Sequence, residues 1–346
     1  MKKILVIRLD RIGDVILSTP VFKALREAYP QGYIAAMVRP YANDVVDGNP
    51  YIDEVILYDK DKKCKSALAT LGFILRLRKN NFDIAVILHP SNRSHAIAYL
   101  AGIPQRVGYN RKLGFLLTRA VPHTKQLGLR HEVDYNLGLL RYIGIEPSSR
   151  ELCMPIKGAS EVRIEALFKS AGINDYVRAV VIHPWASCPS KRWSQDGFAW
   201  VADRLIERYG VKIIIIAGKD DKEFGDRVSR MISAKHLNLS GEASISDLAS
   251  IFKRSRLLIS NDSGPVHIAC AVGAPVVVIF GRADSGLSSA RWGPIGGDDV
   301  ILQKYIGCEK CLAHDCDRDF ECLAATTKEE VLEAASKLLT RSEKLC

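Results

Sequence analysis

Short apolar runs alternate along this chain with segments whose apolar positions recur at helical spacing. Lys3–Leu9 (KILVIRL) reads as a buried strand and Val15–Tyr29 as an amphipathic helix. Tyr33–Val38, Glu54–Tyr58 and Asp83–Leu88 read as further strands, with Ser66–Lys79 a helix whose outer face is basic. After a softer stretch around Pro147–Gly158 the pattern restarts. Val177–Ile182, Lys212–Ala217, Leu257–Ser260 and Pro275–Phe280 read as strands. Helices are expected over Gln195–Tyr209, Asp221–Ile232, Ile245–Lys253, from about Gly264, and over Lys328–Leu339. Alternating strands and helices imply parallel sheets covered on both faces. The expectation is an α/β protein of two Rossmann-like domains, residues 1–157 and 158–346. No short-period repeat is present, which excludes a solenoid.

Ligands of open parallel sheets bind beyond the carboxyl ends of the strands. The loops to inspect are therefore Asp10–Asp14, His89–Ser94, His183–Trp193, Gly218–Asp221, Asn261–His267 and Gly281–Ser285. In the first, R-L-D-R-I-G-D-V, Gly13 permits a tight strand-to-helix turn, and the dinucleotide fingerprint G-x-G-x-x-G is missing. Asp14 is either a first-turn carboxylate settled by the helix dipole or a functional acid at the strand end. The loop H-P-W-A-S-C-P-S-K-R-W-S supplies Ser187, Ser190, Lys191 and Arg192, hydroxyls and cations of the kind a diphosphate requires. In I-S-N-D-S-G-P-V-H, Gly264-Pro265 opens a helix whose free amides make an anion site, flanked by Asp262 and His267. Helix capping and a satisfied core histidine account for those two residues equally well. Asp220 or Asp221 could accept ribose hydroxyls or cap the next helix.

The 346 residues carry 49 Lys+Arg against 39 Asp+Glu, a net of +10. The excess lies in the first half, and no acidic residue occurs between Asp83 and Glu132. Such a field attracts nucleic acid, an anionic membrane or a phosphorylated substrate. Within it, Leu113–Leu117 is apolar, which suits either a buried turn or a lipid contact. Mean hydropathy is zero, and no apolar run approaches the roughly 20 residues of a membrane span. The start shows no signal-peptide core, so a cytoplasmic location with reduced cysteines is expected. Cys308, Cys311, Cys316 and Cys322 lie within fifteen residues, a spacing open to a small structural metal site or to free thiols.

Taken together, ILVIRLDRIGDVILSTPVFKALREAYP, HPWASCPSKRW and NDSGPVHIACAVGAPVVVIFG resemble glycosyltransferase family 9, the ADP-heptose:lipopolysaccharide heptosyltransferases. The likeness runs to about residue 340 and is nearest the heptosyltransferase II branch. It implies a GT-B fold, with two Rossmann-like domains facing across a cleft, acceptor on the N-terminal side and sugar nucleotide on the C-terminal side. It implies an inverting, metal-independent transfer of heptose from ADP-L-glycero-D-manno-heptose to the lipopolysaccharide inner core. Position by position, Asp14 resembles the general base and Lys191 the diphosphate-binding lysine. Ser187, Asp221, Asp262, Ser263, Gly264 and His267 resemble donor-binding positions.

The implied partners are ADP-heptose as substrate, with no cofactor, and an anionic lipid A/Kdo/heptose acceptor. Arg11, Arg93, Arg111 and Lys112 are the expected acceptor contacts. The inner-leaflet membrane surface is an expected partner of a peripheral enzyme, and nucleic acid is not. The alternatives are another donor or acceptor within family 9, or a GT-B-fold nucleotide-sugar epimerase. A nucleic-acid-binding protein would explain the charge but leave Asp14, Lys191 and Asp262 without purpose.

Overall fold

A computed structural model describes residues 1–173, 179–308, 310–311 and 313–343 of the chain. The chain divides into two compact units, Met1–Pro155 and Ile156–Cys346, beside the boundary at 157/158 expected from the sequence. Residues 156 and 157 lead directly into a helix that begins at Gly158.

The first unit is a six-stranded parallel sheet. Its strands are β1 (Lys3–Ile7), β2 (Tyr33–Val38), β3 (Glu54–Leu57), β4 (Ile84–Ile87), β5 (Gln105–Asn110) and β6 (Arg119–Pro122). Their order is β3-β2-β1-β4-β5-β6, so β1 and β4 are neighbours at the point where the winding reverses. Helices α1 (Ile12–Ile16), α2 (Thr19–Ala28), α3 (Asn43–Val46), α4 (Ala67–Arg78), α5 (Asn92–Leu100) and α6 (Glu132–Gly138) connect and cover the strands. The single helix expected over Val15–Tyr29 is two. Pro20 lacks the N–H that would bond the Ile16 carbonyl, and the Thr19 hydroxyl donates to that carbonyl instead, at 2.7 Å. On one face, Leu5, Ile7, Ala85 and Ile87 of the sheet meet Phe73, Ile74 and Leu77 of α4 and Ile97 and Ala98 of α5.

The second unit repeats the topology. Its strands are β7 (Ala179–His183), β8 (Lys212–Ile215), β9 (Leu237–Asn238), β10 (Leu257–Asn261), β11 (Val276–Phe280) and β12 (Val300–Gln303). The order β12-β11-β10-β7-β8-β9 again sets the unit's first and fourth strands side by side. The strand expected over Val177–Ile182 begins, among the described residues, at Ala179, and positions 177 and 178 lie outside them. The helices are α7 (Gly158–Ser170), α8 (Gln195–Tyr209), α9 (Lys222–Met231), α10 (Ile245–Lys253), α11 (Gly264–Ala271), α12 (Ser289–Trp292), α13 (Glu321–Ala324) and α14 (Lys328–Glu343). Phe198, Val201 and Leu205 of α8 and Val331 and Leu338 of α14 join β7, β8, β10 and β11 in one core. Both α8 and α10 match their expected spans to the residue. Each has a serine N-cap whose hydroxyl accepts a backbone N–H in the first turn, at Ser194 and Ser244.

Candidate functional site

Each unit gathers its polar side chains beyond the carboxyl ends of the two strands at its reversal point, where open α/β sheets bind ligands. In the first unit the centre is Arg8, just past β1 and 3% exposed. Its Nε donates to Asp10 Oδ1 at 2.7 Å, and one terminal nitrogen donates to Asp14 Oδ1 at 2.5 Å. The other donates to Glu132 Oε1 at 3.2 Å and to Asn136 Oδ1 at 3.1 Å. Lys125 Nζ, itself buried, donates to Glu132 Oε1 at 2.6 Å. One guanidinium fork thus fixes one carboxylate from the loop after β1, a second from the start of α1 and a third from α6, as a buried charge of this kind requires.

Asp14, in the first turn of α1, is partly open to solvent, and so is Asp10. Burial pushes the Asp10 carboxyl up to about 7 despite Arg8, with the neighbouring Asp14 and Glu132 adding to the rise. His89, just past β4, has Nδ1 3.6 Å from Asp10 Oδ2. Burial, with Arg8 beside it, lowers His89 to about 4, so it is neutral at pH 7. Arg11, Arg93, Arg111 and Lys112 are all exposed on this unit. Arg11 precedes α1 and Arg93 lies in the first turn of α5, whereas Arg111 and Lys112 follow β5.

In the second unit, Lys191 follows β7 and Asp262 follows β10, and they form an ion pair with Nζ 2.5 Å from Oδ2. Asp262 is buried and Lys191 partly so. Ser263 stands at the N-cap of α11 with no side-chain bond to its first turn. Its hydroxyl instead meets His183 Nδ1 at 3.1 Å; Pro265 has no N–H and Val266 N–H donates to the Ser263 carbonyl at 3.2 Å, which leaves the Gly264 N–H of that turn to an anion. His183 also meets the Ser260 hydroxyl, at 3.2 Å, and burial lowers it to about 4. Gly264 opens α11, His267 is buried one turn in, and Ser187 is exposed on the β7 loop.

Asp221 closes the turn before α9, and burial raises its carboxyl above the ordinary value while a hydrogen bond from Trp185 opposes the rise. Beside it, Trp185 and Phe224 stack with centroids 3.7 Å apart, and the Arg192 guanidinium lies 3.5 Å from the Trp185 centroid. The Lys191 loop is tied to the end of β11. Arg282 donates to the Ser190 hydroxyl at 2.8 Å and to Cys188 Sγ at 2.7 Å. Burial alone would raise the Cys188 thiol, but its bonds with Ser190 and Arg282 outweigh this and lower it. Ser190 N–H and the Cys188 thiol both donate to the Ala313 carbonyl, which brings the cysteine segment against this loop.

Cys308, Cys311, Cys316 and Cys322 are free thiols, and Cys322 is raised by burial and by its three neighbouring cysteines. Among the described residues no group of three or more His, Cys, Asp or Glu side chains is arranged to hold a metal ion. No helix among them is long and apolar enough to cross a membrane.

Two adjacent carboxylates thus sit on a buried arginine in one unit, and in the other a lysine–aspartate pair stands beside a helix start. The family model of glycosyltransferase family 9 (heptosyltransferase) matches residues 71–320. The chain belongs to that family and is a glycosyltransferase. Lipopolysaccharide heptosyltransferase 3 of Escherichia coli K12 is 26% identical, over 94% of this chain and 95% of its own length. The solved family 9 glycosyl transferase of Veillonella parvula DSM 2008 superposes with a TM-score of 0.87 at 26% identity, covering 98% of each chain. The solved ADP-heptose lps heptosyltransferase II of E. coli gives a TM-score of 0.81 at 22% identity, over 99% of this chain and 100% of that one. These likenesses make the fold GT-B.

Arg8, Asp10, Lys125, Glu132 and Asn136 were not singled out by the sequence, and neither were Trp185 and Phe224 as a stack. The only signal for Arg8 was a charged residue inside an otherwise apolar strand run.

Proposed function

We propose that the chain transfers L-glycero-D-manno-heptose from ADP-heptose to the lipopolysaccharide inner core, with inversion and without a metal. The observation that carries this reading is Asp14, a solvent-reachable carboxylate held at the end of β1 by Arg8. The names of the relatives support the donor and acceptor.

An acceptor hydroxyl gives its proton to the Asp14 carboxylate while its oxygen bonds the anomeric carbon. The bond from that carbon to the diphosphate oxygen breaks on the opposite face, and ADP leaves with the electron pair, so one displacement inverts the centre. Lys191 and the Gly264 amide opening α11 meet the charge that grows on the departing diphosphate, the role a metal fills in other transferases. Asp262 orients Lys191, Asp221 holds the ribose, and Ser187, Ser263, Gly264 and His267 complete the donor site. Arg11, Arg93, Arg111 and Lys112 meet the anionic lipid A/Kdo/heptose acceptor, which places the enzyme at the inner leaflet from the cytoplasmic side.

Transfer measured with ADP-heptose, and with UDP-glucose as control, in the presence of EDTA tests the reading. Asp14→Asn should keep ADP affinity near wild type and lower turnover at least about a hundredfold, the scale of a lost general base. Near-normal turnover in that variant would remove Asp14 from the mechanism. Preference for the UDP sugar would overturn the donor.

A further inference from the structure

The outer face of α4 matches its sequence reading only in part. A basic face was expected over Ser66–Lys79; exposed Arg76, Arg78 and Lys79 supply it in the last turn, but the solvent side before them is a stripe of leucines. Leu68 is 82% exposed, Leu71 47% and Leu75 53%, at positions i, i+3 and i+7 on one side of the helix. The helix buries only Phe73, Ile74 and Leu77 against the sheet. The cations stand at its ends instead, with Lys62, Lys63 and Lys65 before it and Arg76, Arg78 and Lys79 at its close.

The apolar surface continues beyond α4. Because α4 and α5 cover the same face of the sheet, their outer sides look the same way. On α5, Tyr99 and Leu100 are exposed, and α5 packs on the turn 114–116, where Phe115 is 78% exposed. Arg106 links these pieces, with its guanidinium 5.3 Å from the Tyr99 ring centroid and its Nε donating to the Leu116 carbonyl. Of the apolar run Leu113–Leu117, only Phe115 is thus left fully to solvent, and Leu117 packs toward the core. Between Lys62 and Arg130 the chain has thirteen Lys or Arg and one acidic residue, Asp83, which is occupied in accepting from the Lys3 backbone N–H at 2.8 Å.

We infer that the outer face of α4, α5 and Phe115 is a docking surface for an anionic lipid bilayer. Exposed leucines and a phenylalanine enter the boundary between headgroups and acyl chains, while the surrounding lysines and arginines meet anionic headgroups. A second copy of the chain fits poorly. A symmetric contact would set each basic ring against its duplicate, and like charges across an interface oppose association. Nucleic acid would use the charge and leave the leucine stripe in water. The inference rests on the proposed lipid-borne acceptor and adds the surface by which the enzyme reaches it.

The test is co-sedimentation of the full chain with vesicles of phosphatidylcholine alone and of phosphatidylcholine with phosphatidylglycerol, at low and high salt. The expected result is binding to the anionic vesicles that weakens as salt rises. The triple variant Leu68→Ser, Leu71→Ser, Leu75→Ser should bind at least about tenfold more weakly with unchanged circular dichroism and Tm, because those side chains lack core contacts. Absence of binding to anionic vesicles overturns the inference, as does equal binding by the variant or binding indifferent to lipid charge and salt. A wild-type dimer in sedimentation velocity that the variant dissociates assigns the face to a second copy and overturns it too. Transfer onto a de-acylated, water-soluble core acceptor separates the two readings, since the variant should keep full turnover there. A wild type that binds vesicles yet transfers no heptose to that acceptor would sink the proposed reaction and leave the surface standing.

Discussion

Arg8 shows what one buried side chain does to its neighbours. A lone guanidinium at 3% exposure is untenable, and the fold supplies Asp10, Asp14 and Glu132 around it. Burial, with Asp14 and Glu132 close by, outweighs the pull of Arg8, and Asp10 keeps its proton up to about pH 7. The linkage has a definite sign. A carboxyl raised above its ordinary value stabilises the folded chain fully below that value, and the contribution is lost as pH rises through about 7. Asp10→Asn removes it, so the Tm of wild type minus that of the variant should decline between about pH 5 and about pH 8. A difference that stays flat, or grows, would show that Asp10 ionises normally. Little of this was legible in the sequence. Asp14 stood out through its place beside Gly13 and its likeness to a family position, but the partners of Arg8 lie as far away as Glu132 and Asn136. Only the crossing of α6 over the end of β1 brings them in.

At the level of elements, the sequence displays strands buried on both sides and helices with a clear apolar stripe. Strand Tyr33–Val38 and helices Gln195–Tyr209 and Ile245–Lys253 coincide with their expected spans. Strands β5 and β6, near one edge of their sheet, were missed because exposed ends and interleaved Arg106, Asn110 and Arg119 erase the apolar run. Helix α5 was missed as well, with its Asn-Arg-Ser-His opening. The loop carrying Lys191 was flagged for its cations, but what sets its position is a glycine on another element. A Cβ at Gly281 would run into the Ser190 carbonyl and the Leu323 side chain. Backbone cannot yield as a flexible side chain can, so Gly281→Ala should push the Ser190–Lys191 segment off the end of β11. The expected outcome is ADP binding at least about tenfold weaker by calorimetry, since misplacing a positioned group by about 1 Å is costly. Unchanged ADP affinity with wild-type Tm would mean that the loop is positioned from elsewhere.

Over the whole molecule, two units of the same strand order carry different charge. Residues 1–157 hold the entire net +10, and residues 158–346 are balanced. The same topology therefore presents an anion-attracting surface in one unit, while in the other it sets one ion pair beside one helix start, where the proposed diphosphate would sit. The sequence carried this division, because charge and strand rhythm are both local properties. It did not carry the Trp185–Phe224–Arg192 stack, which depends on how the loops after β7 and β8 meet. If the donor belongs to the second unit, ADP must stabilise that unit by an amount that grows with the logarithm of its concentration over Kd, about 2.7 kcal/mol at a hundred times Kd. Amide hydrogen exchange with and without ADP reads this directly. Protection is expected over the loops 183–193, 218–224 and 261–267, and none of that protection should survive in Lys191→Ala at the same ADP concentration. Protection centred on residues 8–14 instead would assign the nucleotide to the Arg8 network and reverse the roles of the two units. Equal protection in wild type and Lys191→Ala would leave the helix start alone to hold the diphosphate, with the Lys191–Asp262 pair serving only to close the loop.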